Sequence, residues 1–263
     1  MTTPGAPAPE VSIVLPAHNE VALLGSTVTN LLTGLDARRI TYEIVIVENG
    51  SNDGTLQLAR VLAAQLPALR VLTLPRGDYG AALAAGFVVA TGTYVVNFDV
   101  DYYDLAFFDT ALEELQAKNA DIVVASKRAP GATDRRPLLR RLLTAGFSGL
   151  LRAGVGLTVS DAHGMKAMRR SSVAPLVAHC RLRGSLFDVE LVVRAGRADL
   201  LTAEVPAVVA ERRPPRSSLL QRSAESGLGV LRLRRILARE DGRSARRRLL
   251  ARVRRASESR RAS

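Results

Sequence analysis

The sequence predicts an α/β protein built on a mostly parallel β-sheet with helices on both faces. Short segments rich in Val, Ile and Leu alternate along the chain with longer segments of helical periodicity. Strands that are continuously apolar are typical of parallel sheets, because helices cover both faces of such sheets. The chain has 263 residues, of which 47% are hydrophobic, and this is enough for an enzyme-sized domain.

Strands and helices alternate through the first half of the chain. Each predicted strand is a run of β-prone apolar residues bounded by polar or glycine-bearing turns, and the five runs are 11–17, 42–49, 70–75, 93–98 and 121–126. The helical patterns between them cover 20–35, 52–66, 78–89 and 104–119. Asp53 and Thr55 are residue types suited to cap the second helix.

The ends of the chain differ in composition from its body. Residues 1–9 are rich in Pro and Ala, with neither a basic start nor an apolar core of a signal peptide, and they are predicted to form a flexible leader. Residues 10–215 are predicted to form the catalytic domain. Residues 216–263 contain 15 arginines, no lysine and 4 acidic residues, so this tail carries almost all of the net charge of +12.

The arginine-rich tail has three open interpretations. Its apolar residues recur at roughly helical spacing, so it could bind an anionic membrane surface. It could bind nucleic acid without sequence specificity, or remain a solvated, partly disordered extension. The chain has no run of 18 apolar residues and only one cysteine, Cys180. These two observations predict a soluble or peripheral protein of a reducing compartment.

The segment TYVVNFDVDYYD places two carboxylates at the end of a predicted strand. Asp99 and Asp101 are one residue apart, and ligands of parallel sheets bind beyond the carboxyl ends of the strands. Neighbouring carboxylates repel each other unless a cation lies near them. Mg²⁺ and Mn²⁺ favour oxygen ligands, and Mg²⁺ usually completes its shell with water and substrate phosphates. The pair therefore predicts a metal-bound diphosphate.

Three more polar or glycine-bearing turns follow predicted strands. They contain the sequences LPAHNE, VENGSNDGT and PRGDYGAAL, after the first, second and third strands. Because the carboxyl ends of parallel strands lie at the same sheet edge, the turns and the carboxylate pair are expected to form one site.

These blocks resemble family 2 glycosyltransferases of the GT-A fold. LPAHNE, VENGSNDGT, RGDYGAAL, FDVD, SDAHGMKAMRR and EVPAVVAERRPPRSS occur in the family's order, and the sequence looks most like the polyprenyl (dolichol) phosphate mannosyl- or glucosyltransferase branch. The resemblance covers about residues 10–218. It implies a nucleoside diphosphate sugar as donor and polyprenyl phosphate as acceptor.

The resemblance also implies roles for individual residues. Asp99 and Asp101 would bind Mg²⁺ or Mn²⁺ and the donor diphosphate, with Asp101 as the catalytic ligand. The other expected donor-binding residues come from the three turns: Pro16, Ala17, Glu20, Glu48, Asn49, Ser51, Asp53, Arg76 and Asp78. After the acidic pair the family usually has a polar residue and then histidine, where this chain has Tyr103 and Asp104.

The acceptor decides which further residues the chemistry needs. An ionised lipid phosphate needs cations rather than a base, and the candidates are Lys127, Arg128, Lys166, Arg212 and Arg213. A hydroxyl acceptor needs a general base, for which Asp188 or Glu190 is expected. The recurrence of basic residues favours phosphate.

A separate amphipathic segment covers residues 135–157. Arg135, Arg136, Arg140, Arg141 and Arg152 interrupt an apolar series that is too short and too charged to span a bilayer. Such a helix can lie in the membrane interface while its arginines reach lipid phosphates. A core helix with a charged edge is the alternative.

The sequence therefore predicts an inverting, metal-dependent hexosyltransferase at the cytoplasmic face of the inner membrane, with mannose or glucose as the sugar. One alternative keeps the donor chemistry and uses a soluble hydroxyl acceptor. Another is a non-catalytic, basic membrane or nucleic-acid adaptor on the same scaffold. No specific nucleic-acid partner is expected.

Overall fold

The computed structural model describes residues 8–129, 131–134, 138–209 and 227–242. A seven-stranded sheet forms its centre, and a two-stranded sheet lies beside it. The strands are β1 Val11–Ala17, β2 Tyr42–Asn49, β3 Leu69–Leu74, β4 Tyr94–Asn97, β5 Ile122–Ser126, β6 Thr133–Asp134, β7 Lys166–Arg169, β8 Thr202–Pro206 and β9 Val208–Val209.

The order of strands in the large sheet is β3-β2-β1-β4-β7-β5-β8. All neighbours are parallel except β7, which runs antiparallel to both β4 and β5. Asn97 at the carboxyl end of β4 is paired with Lys166 at the start of β7. The antiparallel strand therefore begins at the edge where its neighbours end.

Helices cover both faces of this sheet. They include α1 Val21–Ala37, α2 Thr55–Gln65, α3 Tyr79–Val89, α4 Leu105–Gln116, α5 Leu138–Val155, α6 Arg170–Val177 and α7 Leu186–Arg197. A further helix, α8, covers residues 227–242.

Alternating side chains of each strand enter two separate cores. Ile13 and Leu15 pack with α1, α2 and α4 on one face. Val14 packs on the other face with α3 and α7, in a core that also contains residues of α5, α6 and α8. Because both faces of β1 are covered, all seven of its residues are buried, and this explains why the strand is apolar throughout.

The predicted fold class is confirmed by this architecture. The five predicted strands and four predicted helices are present, β1 and β2 with the predicted bounds and the others with ends that differ by at most three residues. The sequence interpretation did not include β7, because the four residues KAMR carry only a weak strand signal. Short strands of this kind are fixed by pairing with their neighbours rather than by their own periodicity.

Several predicted features lie outside the described residues. These are most of the leader (1–7), Arg135 and Arg136 of the amphipathic segment, Arg212 and Arg213, and the tail residues 216–226 and 243–263. Among the described residues, no helix is long and apolar enough to cross a bilayer. In α5, Leu151 and Val155 are buried in the core whereas Leu150 is 49% exposed, so part of this helix faces the protein and part faces solvent.

Candidate active site

The turns after β1 and β2 are held together by backbone-to-side-chain hydrogen bonds. The amide of Asn19 donates to Ser51 Oγ over 3.0 Å, and the amide of Ser51 donates to Glu48 Oε1 over 2.6 Å. Glu48 itself is 1% exposed. Buried carboxylates are normally satisfied by such donors, so Glu48 shapes the turn that carries Ser51.

Asp53 has a structural place in the same region. Its carboxylate accepts hydrogen bonds from the amide and hydroxyl of Thr55 and from the amide of Val21. It therefore fixes the first turn of α2 and the start of α1. Glu20, also predicted to contact the donor, is buried, and its amide donates to Thr55. These contacts give both residues a role in joining the two helices.

Asn49 connects the turns after β1, β2 and β3. Its side-chain oxygen accepts from the amide of Asp78 over 2.9 Å, and its carbonyl lies 2.7 Å from Nδ1 of His18. Gly50 adopts φ +66°, and a Cβ atom there would lie 2.9 Å from the Cα of the exposed Arg76. Only glycine suits this left-handed, close approach, so the three turns form one continuous surface at the sheet edge.

The two aspartates of the FDVD motif lie in a tight turn directly after β4. The amide of Asp99 donates to the carbonyl of Tyr102, and the amide of Tyr102 donates back to the carbonyl of Asp99. Thr27 of α1 donates through Oγ1 to the carbonyl of Val100 over 2.7 Å. These hydrogen bonds therefore join the two ends of the turn to each other and its middle to helix α1.

Asp104 ends the acidic stretch in a different role. Its side chain accepts hydrogen bonds from the amides of Ala106 and Phe107 and so caps α4. The residue that replaces the family's usual histidine thus begins a helix.

A buried ion pair lies beside the aspartate turn. Nζ of Lys166 is 2.9 Å from Oδ1 of Asp188, and the two side chains are 0% and 2% exposed. Lys166 also donates to the carbonyl of Gly164 over 2.8 Å. Lys166 was expected to hold the acceptor phosphate directly. Its burial and its partners instead place it among the carboxylates, as their counter-charge.

The carboxylates near this pair influence one another. Burial raises the pKa of Asp99 to about 6, and the negative charges of Asp188 and Asp101 add to the rise. The hydroxyl of Tyr79 donates to Oδ1 of Asp99 over 3.0 Å, and this hydrogen bond and the charge of Lys166 oppose it. Burial, followed by the charge of Asp99, raises the pKa of Tyr79 well above its usual range. An added cation would relieve this repulsion.

The donor set fits a hard divalent cation that is shared with a substrate. Among the described residues, no group of three or more His, Cys, Asp or Glu side chains is arranged as a complete metal site. Asp99 and Asp101 provide the one or two carboxylates that Mg²⁺ typically takes from a protein when phosphate oxygens and water supply the rest. Asp188 adds a third carboxylate charge nearby, and Nζ of Lys166, 2.9 Å from its Oδ1, balances that charge.

Basic and acidic residues lie close together near the end of β5. Nζ of Lys127 is 3.9 Å from Oδ2 of Asp161, a buried oxygen that receives no hydrogen bond. Oδ1 of Asp161 accepts from the amide of His163. Burial lowers the pKa of the His163 imidazole. Arg128 is exposed at the end of β5, and its amide donates to Ser126 Oγ.

Glu190 lies in a different environment from Asp188. It is fully buried, its Oε2 accepts from the amides of Arg181 and Leu182, and its Oε1 accepts from Nε of Arg194. Both carboxylate oxygens of Glu190 are therefore already engaged by donors of the protein itself, and its role as a general base stays a prediction.

The structure places most of the predicted donor residues at one sheet edge. Pro16 and Ala17 end β1, and Asp78 caps α3. Tyr79 was not selected from the sequence, although it directly follows Asp78. Its position in the first turn of α3 was the available signal, because residues there lie at the same edge as the strand ends.

Comparison with known protein families identifies the family to which the chain belongs. The model of the family described as Glycosyl transferase family 2 matches residues 12–176. The chain belongs to glycosyl transferase family 2. The prediction of this family is therefore confirmed, and the FDVD turn, the three preceding turns and the Lys166 strand all lie within the matched residues.

Two curated proteins show the similarity within the family. The chain is 31% identical over 206 residues to undecaprenyl-phosphate 4-deoxy-4-formamido-L-arabinose transferase of Edwardsiella ictaluri, covering 77% of this chain and 60% of that protein. It is 29% identical over 210 residues to a dolichyl-phosphate beta-glucosyltransferase of Trichomonas vaginalis, covering 74% of this chain and 62% of that protein. The chain thus spans about three fifths of the length of these relatives.

A solved structure shows the same fold. Glucosyl-3-phosphoglycerate synthase from Mycobacterium tuberculosis, in complex with Mn²⁺, UDP-glucose and phosphoglyceric acid, superposes with a TM-score of 0.64 at 21% identity. The match covers 86% of this chain and 80% of that one. This likeness confirms the predicted GT-A fold of the family 2 chain.

Proposed function

We propose that this family 2 protein is an inverting, metal-dependent glycosyltransferase that moves a hexose, mannose or glucose, from a nucleoside diphosphate sugar to polyprenyl phosphate. The observation that carries the proposal is the cluster at the carboxyl end of β4, where Asp99 and Asp101 lie beside the buried Lys166–Asp188 pair. Mn²⁺ and UDP-glucose in the complex of the similar synthase support this donor class.

Each part of the cluster has a proposed task in donor binding. A divalent cation held by Asp99 and Asp101 would neutralise the leaving diphosphate. Tyr79 fixes the orientation of Asp99, and Lys166 limits the repulsion among the carboxylates. The turns joined by Asn49 would bind the nucleoside, because they continue the same surface.

The acceptor would attack the anomeric carbon from the side opposite the diphosphate. A single in-line displacement inverts the configuration at that carbon and needs no nucleophile from the protein. Positioning of the two substrates supplies much of the rate.

The contacts of Asp188 and Glu190, the two candidate general bases, support a phosphate acceptor. Glu190 accepts three hydrogen bonds from the protein, and Asp188 is paired with Lys166, so both candidate bases are already engaged by partners within the protein. A lipid phosphate is already ionised and needs no base. Lys127 and Arg128 are the described cations proposed to hold it. Both curated relatives are named for transferases of polyprenyl phosphates.

A peripheral position at the cytoplasmic side of the membrane belongs to the same proposal. Leu150 of α5 and Leu228 and Leu231 of α8 are exposed, and a Cβ atom on Gly154 of α5 would lie 3.2 Å from Val230 of α8. The two helices are therefore neighbours. Exposed arginines of α8 accompany its leucines, a composition suited to an anionic lipid surface.

The proposal is tested by sugar transfer from GDP-mannose, UDP-glucose and UDP-GlcNAc to polyprenyl phosphate in liposomes, with Mg²⁺ or Mn²⁺ and with EDTA. Lipid-linked product of inverted configuration is expected, and it should disappear with EDTA and in Asp101→Asn. Asp104→Asn is the matched control. Asparagine also caps helices, so this variant should retain activity.

A soluble acceptor is the second candidate, since the similar synthase was solved with phosphoglyceric acid. Parallel reactions with 3-phosphoglycerate test it. Transfer to that compound without transfer to lipid would replace the lipid acceptor in the proposal. Absence of nucleotide binding by the intact protein would reject the glycosyltransferase assignment.

A further inference from the structure

A buried arginine joins the C-terminal helix α8 to α7. Arg194 of α7 is 9% exposed, and its two terminal nitrogens donate to the two carboxylate oxygens of Glu240 on α8 over 2.9 and 3.0 Å. Its Nε donates to Oε1 of Glu190 over 2.9 Å. Two-point contacts of this kind fix both the position and the plane of a guanidinium group. The hydrogen bond from Arg194 lowers the pKa of Glu240.

Glu190 continues this network into the segment that precedes α7. We refer to residues 180–185 as the 180–185 loop. Oε2 of Glu190 accepts from the amides of Arg181 over 2.7 Å and Leu182 over 2.6 Å. One oxygen of this carboxylate thus binds the loop while the other binds Arg194.

The far end of the 180–185 loop contacts the turn after β3. The amide of Gly184 donates to Oδ1 of Asp78 over 2.9 Å, and the guanidinium of Arg183 is 3.6 Å from Oδ2 of Asp78. A Cβ atom on Gly80 would lie 2.6 Å from the carbonyl oxygen of Gly184, so loop and helix α3 are in close backbone contact. Asp78 is in turn held by the side chain of Asn49.

We infer that Arg194 and Glu240 are positioning residues, which hold the 180–185 loop against Asp78 and thereby order the nucleotide-binding turn. The link to nucleotide binding rests on the proposed function, whereas the positioning of the 180–185 loop rests on the contacts alone. None of the contacts in this network involves the FDVD motif. The C-terminal helix therefore acts on donor binding through the loop rather than by touching the donor.

Arg194 and Glu240 are expected to affect the 180–185 loop because the charges around Arg194 balance one another. Without the carboxylate of Glu240, Nη1 of this largely buried guanidinium loses its acceptor there, and Nη2 keeps only Oε1 of Glu190, 2.8 Å away. This loss is costly unless the group turns toward water. Such a turn would also remove its hydrogen bond to Glu190. The buried carboxylate of Glu190 would then be an uncompensated charge, which favours movement of the side chain toward water and away from the loop amides.

The chain provides a matched control one residue further along α8. Asp241 pairs with Arg197 of α7 in a more exposed bridge, in which the side chains are 61% and 41% exposed. This pair also joins α8 to α7 but has no contact with Glu190. Comparing the two carboxylates separates attachment of the helix from positioning of the loop.

The test compares the full-length wild type with Glu240→Gln and Asp241→Asn. Hydrogen exchange at the amides of Arg181 and Leu182 measures the loop, and titration with UDP or GDP in the presence of Mn²⁺ measures the turn. In Glu240→Gln we expect these amides to exchange about ten-fold faster and the nucleotide Kd to rise roughly five-fold, within the usual range of coupling between sites. Asp241→Asn should match the wild type in both measurements.

Unchanged exchange in Glu240→Gln would overturn the inference, as would an equal change in Asp241→Asn. Faster exchange with an unchanged nucleotide Kd would overturn the link to the donor turn. A wild-type protein that binds neither nucleotide would reject the proposed function, whereas the exchange comparison still decides whether Glu240 holds the loop. The two failures are therefore distinguishable.

Discussion

Replacing Lys166 by methionine should strongly destabilise the metal-free protein. Lys166 and Asp188 are 2.9 Å apart and almost completely buried, and methionine has a similar length without the charge. Removing one partner of a buried ion pair leaves an uncompensated charge, which typically costs about 3–5 kcal/mol. The cost is expected at the upper end of this range, because Asp99 and Asp101 add negative charge near Asp188.

This loss corresponds to a readily measured shift in thermal unfolding. For a domain of about 200 residues, 1 kcal/mol lowers Tm by about 2–4 °C, so Lys166→Met should unfold about 6–20 °C below the wild type. Circular dichroism melts in EDTA provide the assay. Lys118→Met, at an exposed lysine, is the control and should change stability by less than about 0.5 kcal/mol.

A double-mutant cycle tests the cause of the loss. Lys166→Met/Asp188→Asn removes both charges, so it should be clearly less destabilised than the sum of the single variants. A loss of less than about 1 kcal/mol in Lys166→Met, or additive losses in the cycle, would refute the interpretation of the pair as a counter-charge.

Four further predictions concern the same sheet edge. Tyr79→Phe removes a hydrogen bond to Asp99 and should raise the Kd of Mn²⁺–UDP about three- to ten-fold, a typical value for one such bond; an unchanged Kd in calorimetry would contradict this role. Burial raises the pKa of Asp99 to about 6, so Mn²⁺-dependent nucleotide binding should weaken as pH falls through about 6, since protons then compete for the carboxylate. Because this raised pKa means that the native state binds the proton more tightly than the unfolded chain, the contribution of Asp99 to the stability of the metal-free protein should fall as pH rises from about 4 to 6. In EDTA melts the wild type should therefore lose stability relative to Asp99→Asn over this range, and a constant difference between the two would contradict it. Gly50→Ala places a Cβ atom 2.9 Å from the backbone of Arg76 at φ +66°, and it should cost at least about 1 kcal/mol in chemical denaturation; wild-type stability would show that this turn is not strained.

Much of the fold could be predicted because the relevant signals are local. Strands β1, β2, β4 and β5 lie in mainly apolar runs of the sequence, and each is buried on both faces. Burial on two faces requires such a sequence, so the pattern and the structure have one cause. β7 was missed because its position depends on pairing with β4 and β5.

The sequence allowed the candidate residues to be grouped at one sheet edge, but it did not give their contacts. Parallel topology brings the strand ends to one edge, which is why Asp99, Asp101 and Asp78 could be grouped from the sequence. The sequence did not distinguish a lysine that faces substrate from one that is fully buried, as Lys166 is. Nor did it distinguish Asp188 from Glu190, since their different partners come from residues distant in the chain.

The antiparallel direction of β7 also bears on how this scaffold can diversify. The segment between β5 and β7 starts at Ser126 and returns at Lys166, and both of these residues lie at the ligand edge of the sheet. Insertions, deletions or replacements within it would change this edge without altering any strand of the central sheet. Under the proposed function, evolution could therefore exchange the acceptor while the residues proposed to bind the nucleotide stay in place.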